Sequence, residues 1–224
     1  MFSFPDFEFM TKNMKFDVSS IESKLNEPYF TEFKAIAVEA IERFIEAIKN
    51  HETSGIERDL FSHTDNMAEE FIRSHYCKLA DRIENDAVLQ VLDALRHSFS
   101  CYAFNGLHQL YTRQENHCWH PKIRLTEVLK PNDISSLSPL VKLYRGCDIS
   151  EFENGLYGQA WTTSLKVAKD FAHTHYQSQD WFNASNRVVL VTTCSRKNIL
   201  FSNQSVEFEV VVVVNSLKNI RRYT

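Results

Sequence analysis

Glycine is scarce in this chain, at 5 of 224 residues, where roughly 7% is usual. The five are Gly55, Gly106, Gly146, Gly155 and Gly158. No pair fits G-x-G-x-x-G, and none opens G-x-x-x-x-G-K. That argues against a Rossmann dinucleotide loop and against a P-loop. A nucleotide bound here needs another geometry. Cysteines number 5, an odd count, with no C-x-x-C. They read as reduced thiols of a cytoplasmic protein rather than a disulfide frame. No apolar stretch approaches the ~20 residues of a membrane span. The first residues lack a basic segment and carry Pro5, Asp6 and Glu8, so no secretory signal is expected.

Aromatic side chains are plentiful: 17 Phe, 8 Tyr and 3 Trp. With 43% hydrophobic and 24% charged residues, the chain can close a core and is neither disordered nor low in complexity. Net charge is -4, unevenly spread. Residues 1–100 hold 11 basic against 19 acidic side chains, and residues 101–224 hold 14 against 10. The basic second part is the better candidate for an anionic ligand.

Residues 1–27 show no clear periodicity. Pro28 can open a helix, its missing N–H costing nothing at the first position. Phe33, Ala37, Ile41, Phe44 and Ile48 follow at helical spacing, with Gly55 as the stop. A second helix fits 64–84, with Met67, Phe71, His75 and Leu79 on one face. A third fits 86–100 and a fourth 101–113. After about residue 118 the texture changes, with Pro121, Pro131 and Pro139 and short β-branched runs. Strands are expected at 140–145, 158–163, 187–194, 197–201, 206–214 and 217–223. A helix at 164–176, capped by Ser164, interrupts them, and 175–186 reads as a loop. Helices first and strands later imply an α+β fold. The expected domains are an acidic helical region, 1–115, and a β-rich core, 116–224, in one compact unit.

Three pieces of the second half carry the chemistry. They are Leu143-Tyr144-Arg145-Gly146, then Trp161-Thr162-Thr163-Ser164-Leu165, then Val206-Glu207-Phe208-Glu209-Val210. An Arg at a strand end, a hydroxyl-rich strand end entering a helix and a Glu-x-Glu leading an apolar strand form an ordered set. This set resembles the mono-ADP-ribosyltransferases of the Arg-Ser-Glu group, known from bacterial toxins and phage enzymes. The resemblance covers about residues 120–224 and implies a split, mixed β-sheet core with NAD as substrate and no metal.

The resemblance assigns roles by position. Glu209 would hold the ribose and favour the positive charge that develops as the nicotinamide bond breaks, as in glycoside cleavage. Glu207, expected on the same strand face two residues away, would orient or deprotonate the acceptor. Arg145 would clamp the phosphates as a bidentate fork. Thr162 stands where the family usually has the first Ser of Ser-Thr-Ser, its hydroxyl able to bond Glu209; Thr163 and Ser164 complete that motif. Gly146 belongs to the cofactor side, and Gly146, Gly155 and Gly158 together suggest backbone turning beside the cleft. Tyr176, Trp181 and Phe182 are the aromatic candidates for stacking on nicotinamide. Arg187 is a further candidate for a phosphate.

His117-Cys118-Trp119-His120 contains metal-type side chains, but no second cluster has matching spacing. The leading expectation is transfer of ADP-ribose from NAD to a macromolecule with release of nicotinamide. A protein arginine fits Glu-x-Glu, because a guanidinium must lose a proton to become a nucleophile. A nucleic acid such as an RNA base is the second reading, in a toxin–antitoxin or anti-phage setting. An inactive binding module of the same fold is the third. An antitoxin or chaperone is a possible partner, with the Phe2, Phe4, Phe7 and Phe9 start as one docking candidate, and no membrane is expected.

Overall fold

A computed structural model describes residues 2–51, 67–108 and 118–224. The chain divides into two compact units, Met1–Arg124 and Leu125–Thr224. The first contains only helices as regular elements among the described residues. The second carries a six-stranded sheet and two short helices, so the protein is mixed α+β with its main helices first.

In the first unit, α1 spans Phe4–Glu8, α2 Val18–Leu25, α3 Lys34–His51, α4 Met67–Ala80 and α5 Asp86–Asn105. Asp17 caps α2 by accepting from the Ser20 N–H, a periodic segment that the aromatic-rich start concealed. Pro28 opens a short 3-10 turn, and α3 proper begins only at Lys34. Its Ala37, Ile41, Phe44 and Ile48 are buried as the spacing implies. In α4 the period is right but the phase is not. Met67 and Phe71 are more than half exposed, and Ala68 and Ile72 take the core. The two helices expected at 86–100 and 101–113 are one through Asn105. Asn85 caps it, and Gly106, at φ 60°, ends it. Residues 109–113 and Gly55 lie outside the described residues.

The core of this unit is aromatic. Phe99 is fully buried, with its ring 5.5 Å from Phe16 and 5.6 Å from Phe44. Of the four Phe at the start, Phe9 is buried while Phe4 is 76% exposed. Residues 122–124 return beside 15–17: the Asp17 N–H donates to the Lys122 carbonyl at 2.8 Å, and the Arg124 N–H to that of Lys15 at 3.1 Å. These bonds tie the segment after residue 118 to the helical unit, which therefore runs to Arg124.

The second unit contains β1 Leu140–Asp148, α6 Ile149–Asn154, β2 Ala160–Thr162, α7 Leu165–His173, β3 Arg187–Ser195, β4 Ile199–Asn203, β5 Glu209–Val212 and β6 Lys218–Arg222. The strand order is β4-β5-β2-β1-β3-β6. Every pairing is antiparallel and the described strands form one sheet. The split, mixed sheet expected from the resemblance is therefore not what these strands make. The strand expected at 206–214 shortens to Glu209–Val212, because Phe208 adopts φ 52° and breaks the extended run.

One sheet face buries Val141, Leu143, Cys147, Trp161, Leu190, Val210 and Val212. The other receives α7 through Ala168 and Ala172, which pack with Val189, Tyr144 and Leu165. Gln159, buried in the interior, fastens the start of the unit. Its Oε1 accepts from the Leu125 N–H at 2.8 Å, and its Nε2 donates to the Leu125 and Val212 carbonyls.

Candidate functional site

The three motif pieces lie far apart in sequence and converge on adjacent strands. Tyr144 of β1 is directly opposite Thr162 of β2, and Thr162 is directly opposite Glu209 of β5. Directly opposed residues of an antiparallel pair project to one face. Tyr144, Thr162 and Glu209 therefore form a transverse row on the face that α7 covers in part. Asn203 of β4 extends the row beyond Glu209. Val191 of β3 and Arg221 of β6 extend it beyond Tyr144.

Thr162 is buried, and its hydroxyl proton goes to the Glu207 carbonyl at 2.8 Å. The same oxygen accepts from the Ser164 N–H at 3.0 Å. The expected donation to the Glu209 carboxylate is thus replaced by a clamp on the backbone of the Glu-x-Glu segment. Thr163 holds the same segment from its other side. Its hydroxyl donates to Gln204 Oε1 at 2.7 Å, and its N–H donates to the Phe208 carbonyl at 3.0 Å. Ser164 accepts from the Val167 N–H and caps α7, as its position before the helix suggested.

Gln204 went unnoticed in the sequence, where a lone Gln has no motif. It donates to the Glu209 carbonyl at 3.1 Å, and its own N–H reaches Asp133 Oδ2 at 2.7 Å. Ser205–Phe208 is thereby an exposed loop pinned at both ends. Glu207 lies on this loop and not on the strand, so the two glutamates are not related by strand alternation. Glu207 projects from an exposed loop, and Glu209 is half-buried at the strand start. Phe208, a non-Gly residue at positive φ, stores about 1–2 kcal/mol of backbone strain between them.

Arg145 has a different role from the expected phosphate clamp. It lies on the core face of β1 with 7% exposure. Its Nε and one terminal nitrogen donate to the two Glu151 oxygens at 2.8 and 2.7 Å. The other terminal nitrogen donates to the Ala160 carbonyl at 2.6 Å. The guanidinium fork thus joins β1, α6 and β2. Gly146 likewise approaches protein and not ligand. A Cβ there would overlap the Ala168 carbonyl oxygen, so its lack of a side chain lets α7 seat on the sheet. Gly155 ends α6 in the left-handed conformation at φ 65°.

The aromatic candidates gather at the far end of α7. Trp181 lies 5.1 Å from the Tyr176 ring, and Arg187 sits over both Tyr176 and Phe182. Arg187 is buried and donates to the Ala172 and Phe171 carbonyls, where a cation suits the helix C-terminus. Nine residues of helix, about 14 Å, separate this cluster from the Ser164 end beside Thr162. Its rings serve the helix end and are remote from Glu209. The aromatics beside the row are instead Tyr144 and the 41%-exposed Phe208.

No protein-family model matches the chain, and no curated protein or solved structure matches it significantly. Among the described residues, no group of three or more His, Cys, Asp or Glu side chains is placed to hold a metal ion. Cys118 accepts a hydrogen bond from Gln90, and His117 lies outside the described residues. None of the five cysteines is in a disulfide. Among the described residues, no helix is long and apolar enough to cross a membrane.

Proposed function

We propose that the protein is a mono-ADP-ribosyltransferase that uses NAD as donor and a macromolecule as acceptor. One observation carries the reading. The Tyr-Arg-Gly, Thr-Thr-Ser and Glu-x-Glu pieces, separated in sequence, meet on three neighbouring strands with Tyr144, Thr162 and Glu209 in one row. An accidental set of short motifs has no reason to share a row.

Glu209 is the catalytic carboxylate of this reading. In the reaction the bond between the ribose C1′ and nicotinamide breaks, and C1′ bonds to an acceptor nitrogen or oxygen. Nicotinamide leaves with the bonding electron pair, and the acceptor's proton passes to a carboxylate or to water. Glu209 holds the ribose and offsets the positive charge at C1′. Glu207, on the exposed loop, is suited to receive the proton of an incoming acceptor. Thr162, Thr163 and Gln204 are positioning residues that fix this loop's backbone. Arg145, Gly146 and the Tyr176–Phe182 cluster do not fit direct contact with NAD, since their groups are already engaged by protein. Tyr144 and Phe208 take over as the aromatic contacts in this reading.

The test is nicotinamide release from labelled NAD by wild type, Glu209→Ala and Glu207→Ala. Loss of one carboxylate that stabilises a developing charge is expected to slow cleavage by about 100-fold or more. Glu207→Ala is expected to keep NAD cleavage and lose transfer. Full turnover by Glu209→Ala overturns the assignment.

A further inference from the structure

The uncovered part of the Glu209 face is cationic and aromatic. β1, β3 and β6 present exposed Lys142, Lys218 and Arg221 there, on the side of the sheet that α7 covers around Gly146, Val189 and part of Tyr144. These side chains are up to 79 positions apart by their numbers, and strand pairing gathers them onto one surface. Lys142 Nζ lies 5.4 Å from the centre of the Tyr144 ring. Tyr144 meets Tyr223 edge-on, with centroids 5.9 Å apart. Lys169 Nζ lies 5.7 Å from the Tyr223 ring. The result is a continuous ladder, Lys142–Tyr144–Tyr223–Lys169, whose Tyr144 rung is already in the row with Thr162 and Glu209.

At the strand ends beside the ladder is a groove of about 260 Å³, whose lining includes Lys169, His173 and Tyr223 and, from the opposite sheet face where it pairs with Leu190, Arg222. Among the described residues, no Asp or Glu lines it. Among the described residues, none of Lys142, Lys169, Lys218, Arg221 and Arg222 forms an ion pair with an acid. Asp170 is the one acid on α7. Unpaired cations on an exposed sheet face, with rings interleaved, match a flexible strand of phosphates and bases. Phosphates take the cations and unpaired bases stack on aromatic faces. An acidic polypeptide satisfies the cations but leaves the rings without a planar partner. A duplex keeps its bases stacked inside and does not offer them to a flat surface.

We propose that this face of β1, β3 and β6, with the Lys169–Arg222 groove, binds single-stranded nucleic acid and presents it to Glu209 as the acceptor. The acceptor clause rests on the function proposed above, and the binding clause does not. Along the row, Arg221 and Glu209 are four strand spacings apart, about 19 Å. A strand held at Arg221 and over Tyr144 can therefore run on to the carboxylate.

The experiment measures the anisotropy of a fluorescein-labelled 20-nucleotide RNA of mixed sequence, without NAD, across a salt series. Wild type is expected to bind at low salt. Lys142→Glu/Arg221→Glu is expected to weaken binding at least 10-fold. Loss of two phosphate contacts lowers the slope of log K against log salt by about 1.4. Lys169→Glu/Arg222→Glu repeats the test on the groove, and thermal melting verifies that both variants fold. Arg43→Glu, in the helical unit, is expected to bind as wild type does. Absence of wild-type binding, or equal binding by both double variants, overturns the proposal. So does displacement of the RNA by polyglutamate at equal charge concentration, which would assign the face to an acidic protein. NAD cleavage measured separately keeps the two readings apart. Cleavage without RNA binding defeats this inference alone, and RNA binding without cleavage defeats the acceptor clause along with the proposed function.

Discussion

In the helical unit, five of the described basic side chains sit beside acids. Lys12 pairs with Glu8, Lys24 with Glu27 at 3.0 Å, Arg43 with Glu46 at 2.9 Å, Lys49 with Asp6 at 3.2 Å and Arg96 with Asp93 at 2.8 Å. In the sheet unit the described ion pair is Arg145–Glu151, and it faces inward. The arginines Arg187 and Arg196 are held by backbone carbonyls, and the remaining cations named above point outward without acids. Paired charges cancel each other's field within a few ångströms, whereas unpaired cations of one sign build a potential that attracts an anionic partner. Five cations of the first unit are cancelled in this way, whereas the second unit uses one pair for architecture and leaves the exposed cations of its sheet face unpaired.

The sharpest way to break this comparison is to remove one cation of each kind. Arg145→Ala strands the Glu151 carboxylate, itself only 16% exposed, and frees the Ala160 carbonyl. Breaking a buried pair from one side typically costs about 3–5 kcal/mol. Arg43→Ala breaks a pair in which both side chains are more than half exposed, and is expected to cost no more than about 0.5 kcal/mol. Urea unfolding of the two variants measures both. Arg145→Met/Glu151→Leu is expected to recover most of the loss, because no buried charge remains. Equal costs for Arg145→Ala and Arg43→Ala would erase the distinction.

A smaller effect sharpens the same picture of the sheet unit as tightly built beneath its open surface. Gly146→Ala drives a methyl into the Ala168 carbonyl and the Ala172 nitrogen, both backbone atoms that cannot rotate away. Overpacking of this kind costs about 1–3 kcal/mol. Gly155→Ala meets open space and bears only left-handed strain, about 1 kcal/mol. Thermal melting that ranks Gly155→Ala as the more damaging of the two would show that α7 does not seat on β1 as described.

Periodicity made much of this fold legible. The β-branched run of β3 and the i, i+4 stripe of α3 announce themselves, because burial repeats at the period of the backbone. Phase is harder. In α4, Met67 and Phe71 look like core, and the smaller Ala68 together with Ile72 wins because the neighbouring helices approach on that side. α2 hid behind a short span, and α6 behind an acidic composition. At the candidate site, Thr162 and Glu209 were legible as motif members, but their register depends on pairings between residues nearly fifty positions apart. The residues found engaged by protein share one cause. Arg145, Gly146 and Arg187 have the right chemistry for a phosphate, and a local sequence carries no sign that Glu151, Ala168 or the end of α7 reaches them first. The cationic face escaped notice for the converse reason: its members are scattered along the chain, and only the sheet brings them together.

The smallest expected effect concerns a charge that the helical unit excludes. His75 of α4 is half-buried, its ring edge-on to Phe44 at 6.1 Å, and its Nε2 is buried with no hydrogen-bond partner among the described residues. Burial pushes its pKa below the ordinary 6.5, outweighing nearby Glu39, while Arg43 and Lys78 push the same way as burial. Above pH 6.5 both folded and unfolded chains carry a neutral His75, and stability is unaffected by it. As pH falls below that value, the unfolded chain takes up a proton that the folded chain resists, and stability declines until the folded value is passed. His75→Leu removes the proton uptake while keeping an apolar ring-sized contact with Phe44. The difference in unfolding free energy between wild type and His75→Leu is therefore expected to shift in favour of the variant between pH 7.5 and pH 5, read from paired urea titrations. Parallel curves over that interval would mean that His75 finds water or a partner when protonated, and that the helical unit compensates this charge as it does those on its surface.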